Sequence, residues 1–299
     1  MNQGWSHMEF NKKLLALTIA FAIALSNPAM AAWDKTLSGS DNISDLDTYL
    51  TSNNTALEGI LSGLSSIKIA SNLKIVRAST TSVTVTADQL FLKSDTTISA
   101  RETSVNETIA ITTSGVSGLR TGLVEASNTW YYIVIMRKSS DGTVNGILDT
   151  STTPTLETGY DQYAVVGAVR NNSSSDFIDF YQYGNEYWYS TWQTMASSSG
   201  SVSPWTSIDT SSFVPSGLSS VAFGVGDSIN SYVQISNDST VNSGQTTLDA
   251  NKWIFPYSST PVISWWRLNI KTSDTIYWGC SNAGSTVSIK IAGFFINKL

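Results

Sequence analysis

The stretch from Ser114 to Arg170 constrains the fold more than any other part of the chain. It opens with "SGVSGLRTG" and continues with "NTWYYIVIMRKSSDGTVNGILDTSTTPTLETGYDQYAVVGAVR", so glycine turns alternate with aromatic and β-branched runs. Trp130–Met136 is a continuous apolar run of strand length, and Asp141-Gly142 is a hairpin signal. Ala164–Val169 is a second apolar run, with Pro154 and Gly159-Tyr160 marking the turn before it. Such a segment has to be extended and paired.

The same logic covers the flanks. Leu73 and Ile75, Val83 and Val85, Leu90 and Leu92, and Ile109 and Ile111 alternate with polar residues, the period of half-buried antiparallel strands. The last third carries short strand patterns around Val221–Val225, Tyr232–Ser236, Trp253–Pro256, Val262–Ile270, Thr275–Cys280 and Thr286–Phe295. The stretch Ser197–Ser203 follows the aromatic cluster Tyr187–Trp192 and reads as a loop or linker. The expected fold class is therefore mainly β: a short N-terminal helix followed by two antiparallel β-sandwich or jelly-roll-like domains, 67–186 and 187–299.

The helical entry, 32–66, rests on Ile43, Leu46, Leu50, Asn53, Leu57, Ile60 and Leu64, which recur at alternating spacings of three and four. That a/d register has a period of 3.5 residues. Two readings fit it. The stripe can wind with copies of itself, Asn53 then fixing register and copy number, or it can pack as an ordinary amphipathic helix on its own β domain. Gly59 and Gly63 weaken either helix by about 1 kcal/mol each relative to alanine.

Before that entry, Lys12-Lys13 precede an apolar run, Leu14–Leu25, then Pro28 and Ala29-Met30-Ala31. This is the three-part layout of a secretory signal, so residues 1–31 are expected to be a signal peptide with an upstream extension, cut after Ala31. The run falls short of the roughly 20 residues a helix needs to cross a bilayer, and no permanent membrane span is expected once it is removed. An extracellular product follows.

Composition narrows the chemistry. The one histidine, His7, lies before the expected cut. The mature chain then has no Ser-His-Asp or Cys-His triad and lacks zinc's usual imidazole ligands, so no enzyme activity, metal or cofactor is expected. Cys280 is the sole cysteine, so it has no intrachain disulfide partner; it reads as a buried small hydrophobe or as a reactive thiol. Losing Lys12, Lys13 and Glu9 takes the basic and acidic residues from 17 and 23 to 15 and 22, a net of −7 with no basic cluster, which disfavours nucleic acid. Charged residues make up only 13% of the chain while Ser and Thr exceed a quarter, a balance that suits exposed β-structure outside the cell.

The Gly-Leu-x-Thr-Gly element at Gly118–Gly122, the Trp130-Tyr131-Tyr132 strand, the Pro154-Thr-Leu-x-x-Gly-Tyr160 turn and the Val166-Gly-Ala-Val-Arg170 strand together resemble segments of tail-fibre and related tail proteins of tailed bacteriophages and prophages. Ala32–Leu61 resembles the N-terminal entry segment of such proteins. The likeness covers about half of the chain, carries no catalytic motif, and departs at Glu157, where a second proline is expected. It implies a virion tail location, host recognition, and a parallel homotrimer through the Ile43–Leu64 stripe. Tail proteins assemble in the cytoplasm without a signal, so the two ends of this reading pull apart. A secreted bacterial carbohydrate-binding or matrix protein is the alternative, and a glycan hydrolase the third.

Strand parity nominates a binding surface. On Val262–Ile270, Val262, Trp266, Leu268 and Ile270 share the better core face, which turns Trp265 and Arg267 outward. The same rule turns Tyr232 and Gln234 outward between Val233 and Ile235, and Lys290 outward between Ile289 and Ile291. An aromatic ring beside a hydrogen-bonding cation suits a sugar face, so a surface glycan or another cell-surface receptor is the expected partner. Burial of Trp265 against another domain or subunit fits the same parity. Asp176, Asp179 and Glu186, near Tyr181, Tyr183, Tyr187 and Trp188, are the carboxylates a hydrolase would draw on.

Overall fold

The computed structural model describes residues 70–94, 97–199, 202–228, 233–237, 252–255, 262–270, 274–280 and 287–296. These belong to one compact unit, Lys68–Leu299. The stripe Ile43–Leu64, the apolar run before Ala31, and Tyr232 lie outside the described residues. The rest is mainly β, in more than one sheet, with no helix among the described residues.

Nine strands come from the first half: β1 Ala70–Ser71, β2 Lys74–Arg77, β3 Ser82–Ser94, β4 Thr97–Ser114, β5 Gly118–Leu119, β6 Trp130–Arg137, β7 Val144–Asp149, β8 Gln162–Arg170 and β9 Phe180–Tyr183. Eight follow: β10 Glu186–Ser198, β11 Val202–Asp209, β12 Ser219–Ser228, β13 Val233–Ser236, β14 Lys252–Phe255, β15 Val262–Asn269, β16 Thr275–Cys280 and β17 Val287–Ile296. The larger sheet runs β15-β12-β17-β10-β9-β2-β3-β4-β5-β7-β6-β8, with β1 on β3; the smaller runs β11-β16-β13-β14. A single pair, Lys93↔Tyr163, returns β8 to β3, so β3-β4-β5-β7-β6-β8 closes on itself.

The long β3–β4 hairpin shows how patterning directs the sheet. Val83, Val85 and Ala87 are buried at odd positions, then Leu90 and Leu92 at even ones. The strand thus buries opposite faces in its two halves, β2 pairing beside the first and β8 touching the second. Two pairings depart from the antiparallel expectation: β4–β5 and β5–β7 are parallel. Gly115 and Ser117, at φ 84° and 60°, fold the chain back so sharply that Gly118 lies beside Ala110. A Cβ on Gly118 would sit 2.1 Å from the Thr113 carbonyl oxygen, so only glycine fits the reversal. Glu157, where the tail-protein pattern has proline, accepts hydrogen bonds from the Thr121 N–H at 2.7 Å and the Thr121 hydroxyl at 2.8 Å, tying the two turns together.

One core cluster gathers residues from both sheets, including Ile75, Ile109, Ile133, Val166, Tyr187, Ile235, Trp266, Trp278 and Phe294. At its centre Phe180, Tyr187 and Phe294, from β9, β10 and β17, stack at centroid distances of 4.7 and 4.3 Å, and the Trp130 ring meets Tyr187 and Phe294 edge-on. Trp130 Nε1 donates to the Ser211 carbonyl, and the Tyr132 and Tyr189 hydroxyls donate to those of Ser216 and Phe213, so β6 and β10 both hold the 211–216 turn. Residues 186–187, read from sequence as a domain boundary, open β10, which pairs with β9 along one edge and β17 along the other. Cys280 is buried at the end of β16.

Candidate ligand-binding face

Alternation along β9, β10, β17, β12 and β15 sends one aromatic set into the core and a second set outward. Phe180, Tyr187, Phe294 and Trp266 go in; Tyr181, Tyr183, Trp188, Phe295 and Trp265 go out. Pairing then lines the outward set up, because registered partners on neighbouring strands share a face. One row runs Arg267↔Phe223↔Gly293↔Trp188↔Tyr181 across β15, β12, β17, β10 and β9. The row beside it runs Phe295↔Glu186↔Tyr183↔Lys74 across β17, β10, β9 and β2. A third, on the other side, runs Trp265↔Val225↔Lys290↔Thr194.

The rings touch across the rows. Trp188 meets Phe223 at 4.6 Å and Trp265 at 6.5 Å, Trp265 meets Trp192 at 5.7 Å, and Tyr181 lies 6.3 Å from Trp188 with ring planes within 7° of parallel. Gly293 makes the Trp188–Phe223 contact possible: a Cβ there would stand 2.7 Å from Phe223 Cζ and 2.0 Å from the Tyr187 carbonyl oxygen. The Arg267 guanidinium sits 4.6 Å over the Phe295 ring and Lys74 Nζ 5.7 Å over Tyr183. Glu186, whose Oε2 accepts a long bond from Trp188 Nε1 at 3.4 Å, lies between them. Glu186, Trp188, Phe223, Trp265, Arg267 and Phe295 line a shallow depression of about 290 Å³.

Exposure singles this face out. Eight large apolar side chains stand exposed among the described residues, and five of them, Tyr181, Tyr183, Trp192, Ile263 and Trp265, belong to this one face. Scattered exposure is ordinary, but contiguous exposure marks a binding surface. No protein-family model matches the chain, and no curated protein matches it. Beneath the strip, burial pushes the Tyr187 and Tyr189 phenols up, and the Tyr189 and Asp179 charges raise Tyr187 further against the opposing pull of Arg170.

Of the residues nominated by parity, Trp265, Arg267 and Lys290 come together on this face, with Trp265 51% exposed beside a fully buried Trp266. Gln234 does not: it is buried, a correction to its outward assignment. β13 sits between β14 and β16 and all four of its residues are covered, so alternation there distinguishes two buried faces rather than a wet one and a dry one. Of Asp176, Asp179 and Glu186, only Glu186 lines the depression; Asp179 is close enough to the inward Tyr187 hydroxyl to raise its pKa. Sequence reasoning missed Phe223, Trp192 and Phe295 as members of the face that carries Trp265. Their parity was legible, but the strand order that joins them was not.

Proposed function

We propose that this chain is an extracellular, non-enzymatic adhesion or structural protein that grips glycans with the outer face of β9, β10, β17, β12 and β15. One observation carries the reading: among the described residues, five of the eight exposed large apolar side chains are gathered on that face, against Arg267, Lys74 and Glu186. Aromatic rings cover the C–H faces of pyranoses while charged and hydroxyl groups around them take the sugar hydroxyls, so both halves of the chemistry are in place. The resemblance of Ala32–Leu61 and Gly118–Arg170 to tail-fibre proteins supports a virion role: the Ile43–Leu64 stripe forms a parallel trimer and sandwich-like β layers carry the recognition face outward.

The secretory layout of Lys12–Ala31 favours a second reading, a secreted bacterial carbohydrate-binding or matrix protein using the same face. Labelling the native particle or cell surface with an antibody to this chain separates the two. Glycan binding by the full chain, lost in Trp265→Ala at an unchanged melting temperature, tests the face itself. Absence of glycan binding by the folded protein overturns it. A hydrolase would need a carboxylate pair, and Glu186 is the one carboxylate lining the depression among the described residues; shortening of a polysaccharide would restore that reading.

A further inference from the structure

The geometry points to an extended glycan chain, several sugar units long, as the occupant of this face, rather than a single terminal sugar. The inference rests on the glycan-binding reading above and adds the shape of what is bound.

The rings form a strip. From one end, centroids step from Trp192 to Trp265 at 5.7 Å, Trp265 to Trp188 at 6.5 Å, Trp188 to Tyr181 at 6.3 Å and Tyr181 to Tyr183 at 5.7 Å. Trp192 and Trp188 are both carried by β10, Trp265 by β15, and Tyr181 and Tyr183 by β9, so from Trp265 to Tyr183 the three steps reach at most 18.5 Å. A single pyranose covers only one or two of these rings. Trp188 and Tyr181 carry the contact between strands with near-parallel planes, while Trp265 meets Trp188 and Trp192 edge-on, so successive sugar units meet rings of differing inclination.

The concavity agrees. Sites that recognise one small molecule enclose most of its surface in a cleft. Here the depression is shallow, its walls are Trp188, Phe223, Trp265 and Phe295, and the strip continues beyond it over Tyr181 and Tyr183, which are 36% and 54% exposed. Affinity on such a surface is built by repeating the same weak stacking contact along a polymer. Lys74 stands over Tyr183 at one end of the strip, and Arg267 stands over Phe295 within the depression.

The experiment uses the full chain and oligosaccharide ladders of one to six units, in the gluco-, chito-, manno- and galacto- series, titrated by calorimetry. In whichever series binds, affinity should rise at least tenfold between one and four units and then level off as the strip fills. Tyr183→Ala, at the far end, should cost about tenfold for the long rungs and leave the shortest binding rung unchanged, while Trp188→Ala, in the middle, should weaken every rung. Melting curves establish that both variants are folded; if Trp188→Ala is not, Trp265→Ala replaces it as the variant of the depression. A single sugar binding as tightly as the hexamer, or Tyr183→Ala weakening short and long rungs alike, overturns the extended-chain inference and leaves glycan binding standing. No rung of any series binding overturns both.

Discussion

Trp265 and Trp266 are neighbours in sequence with opposite surroundings, and truncating each should give opposite phenotypes. Trp266 is 1% exposed, and its ring lies so close to β12 that a Cβ on Gly224 would come within 2.7 Å of Cζ2. Trp266→Ala leaves a cavity in a packed interior and should cost about 3–5 kcal/mol. For a unit of this size each kcal/mol moves the melting temperature by about 2–4 °C, so a fall of roughly 6–20 °C is expected. Trp265 is 51% exposed and rests edge-on against Trp188 and Trp192. Its removal should change the melting temperature by only a few degrees while weakening glycan binding about tenfold, the effect of losing one aromatic anchor. Differential scanning calorimetry and glycan titration on the two alanine variants read both quantities. A large melting loss in Trp265→Ala together with an unshifted Trp266→Ala would refute the assignment of the faces, and the strip with it.

Three further outcomes are expected. Intact-mass measurement on material from the native source should find the chain beginning at Ala32, and retention of Met8–Ala31 in the assembled form would overturn export. Deleting Asp41–Leu64 should convert a trimer to a monomer in light scattering, and Asn53→Ile in the full chain should raise stability while loosening copy number; an unchanged mass after the deletion would end the coiled-coil reading. Asp161 accepts hydrogen bonds from the Ser139 hydroxyl and, at 2.8 Å, the Ser139 N–H, which hold its pKa below the ordinary aspartate value. A lowered folded-state pKa gives stability that is present above the unfolded value and lost as pH falls through the folded one. Asp161→Asn should therefore flatten the acid side of the melting profile, where the wild type loses that contribution as pH falls through the carboxylate range, and a profile identical to wild type would refute the linkage.

What the sequence disclosed and what it hid follow from the range of the interactions involved. Alternation is local, so the burial of Val83, Val85 and Ile109 and the opposite facing of Trp265 and Trp266 could be read from period-two spacing alone. Alternation assumes one wet face, which is why it failed at Gln234, in a strand covered on both sides. The sheet order is set by contacts between residues far apart in the chain. Nothing within ten residues of Trp188 says that β17 will lie beside it, with Gly293 opposite and Phe223 one strand further on. The loop reading of Ser197–Ser203 is local too, and β10 ends at Ser198 with β11 beginning at Val202.

The core and the strip are two products of the same five strands, and this bears on how rigid a binding surface they make. Phe180 and Phe294 each stack within 5 Å of Tyr187 on the inner face, while Tyr181, Trp188 and Phe295, each the next residue along, lie on the outer face. Each exposed ring is thus anchored by a backbone whose adjacent side chain is locked in the interior, and the donors from Trp130, Tyr132 and Tyr189 to the 211–216 turn hold the neighbouring layer in place. Spacing along the strip is then fixed by strand pairing before any ligand arrives. A preformed row of rings gives up little conformational entropy on binding, so modest stacking at each position can add along a polymer. The 11% of aromatic residues in the chain serves both faces at once, which accounts for a composition richer in rings than the core alone would need.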